Sequence, residues 1–219
     1  GIRSAVESWR RLPESQWQVT PSTQRLLRHW RSHPFANQKP FFCQVEAVET
    51  VIWLTEVAPK ASSQGRRFWT HLEAANAASN PELLRLALKL ATGAGKTTVM
   101  AMLIAWHTVN AVRHGKKWAS KGFLVVTPGI TIKDRLRVLQ PNDPESYYQS
   151  RELVPEDMLG DLGKAKIVIT NYHSFKKKDE MALNKVQRAA LRTEPKPESD
   201  GAMIRRVAGW LMGLKNVVV

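Results

Sequence analysis

The sequence holds a single cysteine, Cys43, which excludes an internal disulfide framework and a cysteine-cluster zinc site and fits a reducing cytoplasm. It also lacks a long apolar run: the longest, Val99 to Trp106, is far too short to cross a bilayer. No signal-peptide pattern opens the chain. Acidic residues are scarce, 19 Asp and Glu against 33 Lys and Arg, for a formal net charge of +14. Such an excess calls for a polyanionic partner. A membrane surface would need a basic amphipathic helix with a strong lipid face, so nucleic acid is the expected partner and no membrane is expected. Neither paired carboxylates nor a Ser-His-Asp arrangement stands out. What the chain does have is 43% hydrophobic residues, enough to bury a core across one domain and an appendage.

Two short helical patterns, Ser4 to Leu12 and Pro21 to Trp30, read as a helical N-terminal extension over residues 1–40 that packs on the main domain. Val45, Val48, Val51, Ile52 and Leu54 recur at helical spacing, predicting a helix from Gln44 to Val57, with another over Arg66 to Ala78 before the Asn80-Pro81 break. The pattern then turns to short apolar runs: Leu84 to Leu90, Phe123 to Thr127, Ile167 to Thr170 and Val217 to Val219. Helical stretches between them predict β-α-β units, hence an α/β fold with a parallel sheet and helices on both faces. The first run, LRLALKL, is leucine-rich and carries Arg85 and Lys89; only the glycine-rich stretch directly after it argues for a strand. Helices over Asp179 to Leu191 and Gly201 to Leu214, split by the linker-like TEPKPESD, make a helical insertion across residues 176–214. Trp106, Trp118 and Trp210 sit among apolar neighbours and are expected in the core. His107, His114 and Cys43 show no metal-ligand spacing.

The most specific signal is ATGAGKTT, Ala91 to Thr98, between a candidate strand and the helical run VMAMLIAWHTV. Glycines 93 and 95 let the backbone curl so that successive amides face phosphate oxygens, and the helix start adds partial positive charge. Thr92, Gly93, Ala94, Gly95, Lys96, Thr97 and Thr98 form the cradle. Lys96 reaches the outer phosphates, and the Thr97 hydroxyl is placed to ligate the magnesium that bridges them. Lys96 and Thr97 are therefore the residues assigned to catalysis. The general pattern has glycine six residues before the lysine, where this chain has Leu90.

Four stretches, FFCQVEAVE, ATGAGKTTVMAMLIAW, FLVVTPGITIKDRL and AKIVITNYHSF, in this order and spacing, resemble the DEAD/DEAH-box helicases of superfamily two. Among these the chain looks most like the restriction subunits of type III restriction enzymes and related DNA-defence helicases. The resemblance, from about Phe41 to Val219, implies a RecA-like first motor domain over residues 41–219 that uses ATP and Mg2+, with double-stranded DNA as the expected nucleic acid. It further implies a modification subunit or other defence-system proteins as partners. Gln44 matches the family's glutamine that donates to and accepts from adenine, with Phe41 or Phe42 packing on the base; otherwise it is a solvent-facing residue of an amphipathic helix.

Thr127, Pro128 and Gly129 resemble the family's motif Ia, which grips phosphates of one strand, and Lys133 and Arg135 in the next helix suit the same contact. Pro-Gly also ends strands without any such role. Asn171, Tyr172 and His173 resemble the family's TNYH segment and imply nucleic-acid contact; alternatively Asn171 caps the next helix and Tyr172 packs in the core. Lys176, Lys177 and Lys178 form the densest basic run and a further candidate contact. In the resembled family the last strand leads into the acidic DEAH-type, or Walker B, motif; here the chain ends at LKNVVV. The expectation is a fragment of a longer motor that binds nucleotide without efficient hydrolysis. Two other classes remain: a different phosphate-loop NTPase, or a basic DNA-binding module without enzymatic activity.

Overall fold

Runs of β-branched residues form the sheet. The computed structural model describes residues 1–61, 63–178 and 198–219. Strand β1 (Gly122–Thr127) lies between β2 (Lys166–Asn171) and β3 (Val217–Val218), and all pairings are parallel. Gly122 faces Lys166 and the register continues to Thr127 opposite Asn171, whereas β3 pairs only with Gly122 and Phe123. Parallel neighbours need long crossovers. The one from β1 to β2 carries α6 (Ile130–Arg135), α7 (Tyr147–Ser150) and α8 (Glu156–Leu162). Ahead of the sheet come α1 (Ile2–Arg10), α2 (Pro21–Ser32), α3 (Phe42–Ile52), α4 (Ser63–Ser79) and α5 (Lys96–His114); α9 (Asp200–Ala208) precedes β3.

Both faces of the sheet are covered, as an α/β layer architecture requires. Phe123 points toward α5, where its ring lies 6.2 Å from that of His107. On the opposite face Gly122 lies against the Leu214 side chain, whose Cδ1 would stand 2.4 Å from a Cβ there and would have to move to admit one. Together these features fit an incomplete RecA-like fold.

The N-terminal helices belong to the same core as the sheet. Leu26, Leu27 and Trp30 of α2 are fully buried in one cluster with Val48, Trp106 and Phe123. Burying side chains of this size contributes roughly 1.5–3 kcal/mol each, a large share of a domain's usual margin of about 5–15 kcal/mol. Polar groups cross the same junction. The buried Glu56 carboxylate accepts from Thr20 N (2.8 Å), Thr23 Oγ1 (2.6 Å) and Trp106 Nε1 (2.9 Å), and Asn110 Nδ2 donates to Thr23 Oγ1 at 3.0 Å. Thr20 also caps α2, its hydroxyl accepting from Thr23 N with proline at the first helical position. Thr20→Ala is expected to destabilise the fold by about 1–2 kcal/mol, read from the midpoint of urea unfolding.

Four expectations need correction or placement. The stretch Leu84 to Leu90 is not a strand: it runs with Leu86, Leu88 and Leu90 half-buried and Arg85, Ala87 and Lys89 exposed, but joins no ladder among the described residues. Its alternation is that of a strand, but a strand also needs a neighbour, and here a side chain supplies one. Asn76 donates to Arg85 O at 3.1 Å and accepts from Arg85 N at 2.8 Å. Trp210 is 80% exposed rather than buried, because in the tight turn Gly209–Leu211 it is Leu211 that turns inward. The helix predicted over Gly201 to Leu214 ends at Ala208, and the one over Asp179 to Leu191 lies outside the described residues.

Candidate functional site

Helix α5 begins at Lys96, directly after a loop whose residues 91–93 are exposed. Gly93 (φ 80°) and Gly95 (φ 73°, ψ 47°) both adopt the left-handed backbone that the curl requires. At Gly95 a Cβ would also stand 2.3 Å from Gln44 Nε2, so glycine is demanded twice over. Ala94 N donates to Ala91 O at 3.3 Å, and Thr98 N and Val99 N both donate to Gly95 O. The Lys96 ammonium lies over the loop and donates to Ala91 O at 2.9 Å. Thr97 is half-buried and Thr98 buried in the first turn.

Gln44 is buried, not solvent-facing, and it fastens the loop to α3. Its Oε1 accepts from Phe41 N and its Nε2 donates to Ala94 O, both at 2.9 Å. One N–H and one lone pair of the amide remain for a further partner. Phe41 and Phe42 are both exposed beside it.

The second and third loops meet through the sheet register. Thr127 is buried, and its hydroxyl, which donates to Gly129 O at 2.9 Å, also reaches Thr170 O at 3.3 Å. That hydroxyl therefore shapes the turn, leaving Pro128, Lys133 and Arg135 exposed. Asn171 caps the short turn Tyr172–Phe175 by accepting from Ser174 N at 2.9 Å. Tyr172 is 66% exposed and His173 is exposed, so neither is a core residue. Lys176, Lys177 and Lys178 come next, all exposed. Arg206 holds this segment by donating to Ser174 O, Lys176 O and the Glu198 carboxylate. The Arg206 hydrogen bonds, then the Lys178 backbone N–H, draw the Glu198 carboxyl down to about 2. Lys177 Nζ lies 3.0 Å from Asp200, an exposed pair of little energetic weight.

Helix α5 returns to the start of β1 through only seven residues, and His107 packs by Phe123. From His107 back to Lys96 the helix covers about 16 Å, comparable to the roughly 13 Å from Phe123 to Thr127 along β1. The helix therefore runs antiparallel to the strand, and its first turn approaches the carboxyl side of the sheet, where ligands of open parallel sheets collect.

One residue at this site had no signal in the sequence. Arg151, in the crossover between β1 and β2, donates from Nη1 to Thr98 Oγ1 at 3.0 Å and lies over the Tyr147 ring at 3.8 Å. Away from the site, burial pushes the His107 imidazole down to about 4, so it is neutral, and His114 bonds Ser22 Oγ at 2.9 Å. Among the described residues no group of His, Cys, Asp and Glu is placed to hold a metal by itself, and no helix is long and apolar enough to cross a membrane.

A left-handed glycine opening a helix at a Gly-Lys-Thr, in an α/β domain with a parallel sheet, has the backbone of a phosphate loop, although among the described residues no strand precedes it. The family model described as type III restriction enzyme, res subunit, a helicase-superfamily-two relative, matches residues 37–200. The chain belongs to that family. No curated protein and no solved structure matches it.

Proposed function

We propose that this chain is the ATP-binding part of a DNA translocase in a restriction-type defence enzyme. The observation that carries the reading is the loop itself: left-handed Gly93 and Gly95, the α5 amides, and Lys96 resting on the loop's own carbonyl. These residues fit a triphosphate with its magnesium. Loop amides and Lys96 would hold phosphate oxygens, Thr97 would ligate the cation, and Gln44 with Phe41 or Phe42 would meet the base. The bound magnesium would supply charge neutralisation between the outer phosphates.

Duplex DNA lies along Pro128, Gly129, Lys133, Arg135, Tyr172, His173 and Lys176 to Lys178 in this reading, with Thr127 and Asn171 shaping the two turns. A nucleotide site and a DNA grip on one sheet edge form the arrangement by which a motor couples one to the other. A modification subunit as partner and the cytoplasm as location complete the proposal.

Titration with a fluorescent ATP analogue and Mg2+, beside duplex-DNA binding across a salt series, tests it. Saturable nucleotide binding is expected, together with a log–log salt slope of about −3 to −5, one phosphate contact contributing about −0.9. Nucleotide binding with salt-insensitive DNA affinity would point to a different phosphate-loop enzyme. DNA binding without any nucleotide binding would leave only a basic DNA-binding module.

A further inference from the structure

The segment that carries Arg151 is held from one side by a single helix. Glu152 has φ 50°, a left-handed backbone that a glutamate adopts only when its surroundings enforce it. Three of its partners come from α2 and the residues just after it. Glu152 O accepts from His29 Nε2 at 2.6 Å, and its carboxylate accepts from His33 Nε2 at 2.8 Å and Ala36 N at 3.3 Å. The next residue is fixed the same way, with Leu153 O accepting from the buried Trp30 Nε1 at 2.7 Å. Arg151, immediately before this clamp, is thereby presented to Thr98.

Thr98 is a lever on the phosphate loop. Its backbone N–H closes the first turn on Gly95 O at 2.9 Å, and its hydroxyl stands 3.6 Å from where a Cβ on Gly95 would be. Gln44 fixes the other flank of the same residue through Ala94 O. The loop is thus braced between α3 and the Arg151 segment. A guanidinium at the start of α5 adds a cation to the positive end of the helix dipole, a placement that is unfavourable alone and becomes favourable when an anion binds there.

We propose that Arg151 is a positioning residue of the phosphate loop, acting through Thr98, and that helix α2 holds it in place, which makes the N-terminal segment part of the nucleotide-binding apparatus. The inference rests on the nucleotide-binding reading of the loop. Arg151→Gln weakens Mg·ATP affinity about tenfold, the usual size of a lost charge-assisted hydrogen bond near an anion site. Arg151→Lys keeps the charge without the fork and falls between. Because the route runs through Thr98, the double variant Arg151→Gln with Thr98→Val binds no more weakly than the worse single variant. His33→Ala, remote from the loop, reproduces part of the loss by releasing Glu152.

The experiment is equilibrium titration of the 219-residue chain with the fluorescent ATP analogue and Mg2+, with thermal melts on each variant. Equal affinities for wild type and Arg151→Gln overturn the inference while sparing nucleotide binding. Additive losses in the double variant overturn the route through Thr98, and unchanged affinity in His33→Ala overturns the role of α2. A wild-type chain that binds no nucleotide sinks the nucleotide-binding reading and this inference with it. Should Arg151→Gln melt far below wild type, Arg151→Lys and His33→Ala carry the same comparison.

Discussion

Replacing Lys96 by alanine is expected to lower Mg·ATP affinity by about 100-fold, roughly 2.7 kcal/mol, while leaving the thermal midpoint within a degree or two of wild type. The two halves of this expectation come from different observations. The ammonium is exposed and its one partner among the described residues is the Ala91 carbonyl, so deleting it removes no buried contact and leaves the loop glycines and the Gln44 brace intact. Its value appears only when phosphate oxygens replace that carbonyl, since ammonium and polyphosphate then pair as full charges at the positive end of α5. A drop in stability matching the drop in affinity would mean that the side chain supports the loop rather than the ligand. Unchanged affinity would remove the phosphate-loop reading altogether.

The parts of this molecule that could be read from its sequence are those decided by local chemistry. GFLVVT and KIVITN have β-branched residues at strand spacing, and they pair as strands in register. Gly93, Gly95 and Lys96 are a local backbone instruction, and the structure has the left-handed turn and helix start at those residues. Features set by distant neighbours were not legible. Leu84 to Leu90 has the alternation of a strand, yet its backbone meets the Asn76 side chain, and nothing in the seven residues encodes that meeting. Likewise the apolar surroundings of Trp210 in sequence do not say which of two adjacent residues turns inward, and Leu211 does. Gln44 could be singled out only by resemblance, and its bond to the Ala94 carbonyl spans fifty residues of chain. Arg151 carried no signal because its role comes from a clamp formed by residues more than a hundred positions earlier.

The same long-range logic makes Glu49 the residue whose loss should unsettle the fold most. Its side chain is fully buried, with Arg10 Nε at 2.5 Å and Arg31 at 2.7 Å on its two oxygens, so one carboxylate joins α1 and α2 to α3. Both guanidinium groups are about four-fifths buried and lie against aromatic faces, Arg10 over Phe42 and Arg31 over Trp17. Glu49→Ala would leave Arg31 without its carboxylate and Arg10 with only the looser contact to Glu46, 3.9 Å away. Removing one member of a buried ionic group typically costs about 3–5 kcal/mol, because the remaining charge is left desolvated and unpaired. Glu49→Gln keeps the shape and one acceptor for the guanidinium groups, and should cost less, about 1–3 kcal/mol. Denaturant unfolding of the two variants checks both the size and the order. Gln44 lies on the same helix, five residues before Glu49, so a chain weakened in this way should also grip nucleotide less tightly. A loss below about 1 kcal/mol in Glu49→Ala would mean that water reaches the two arginines, and that apolar packing of α2 alone secures the N-terminal helices to α3.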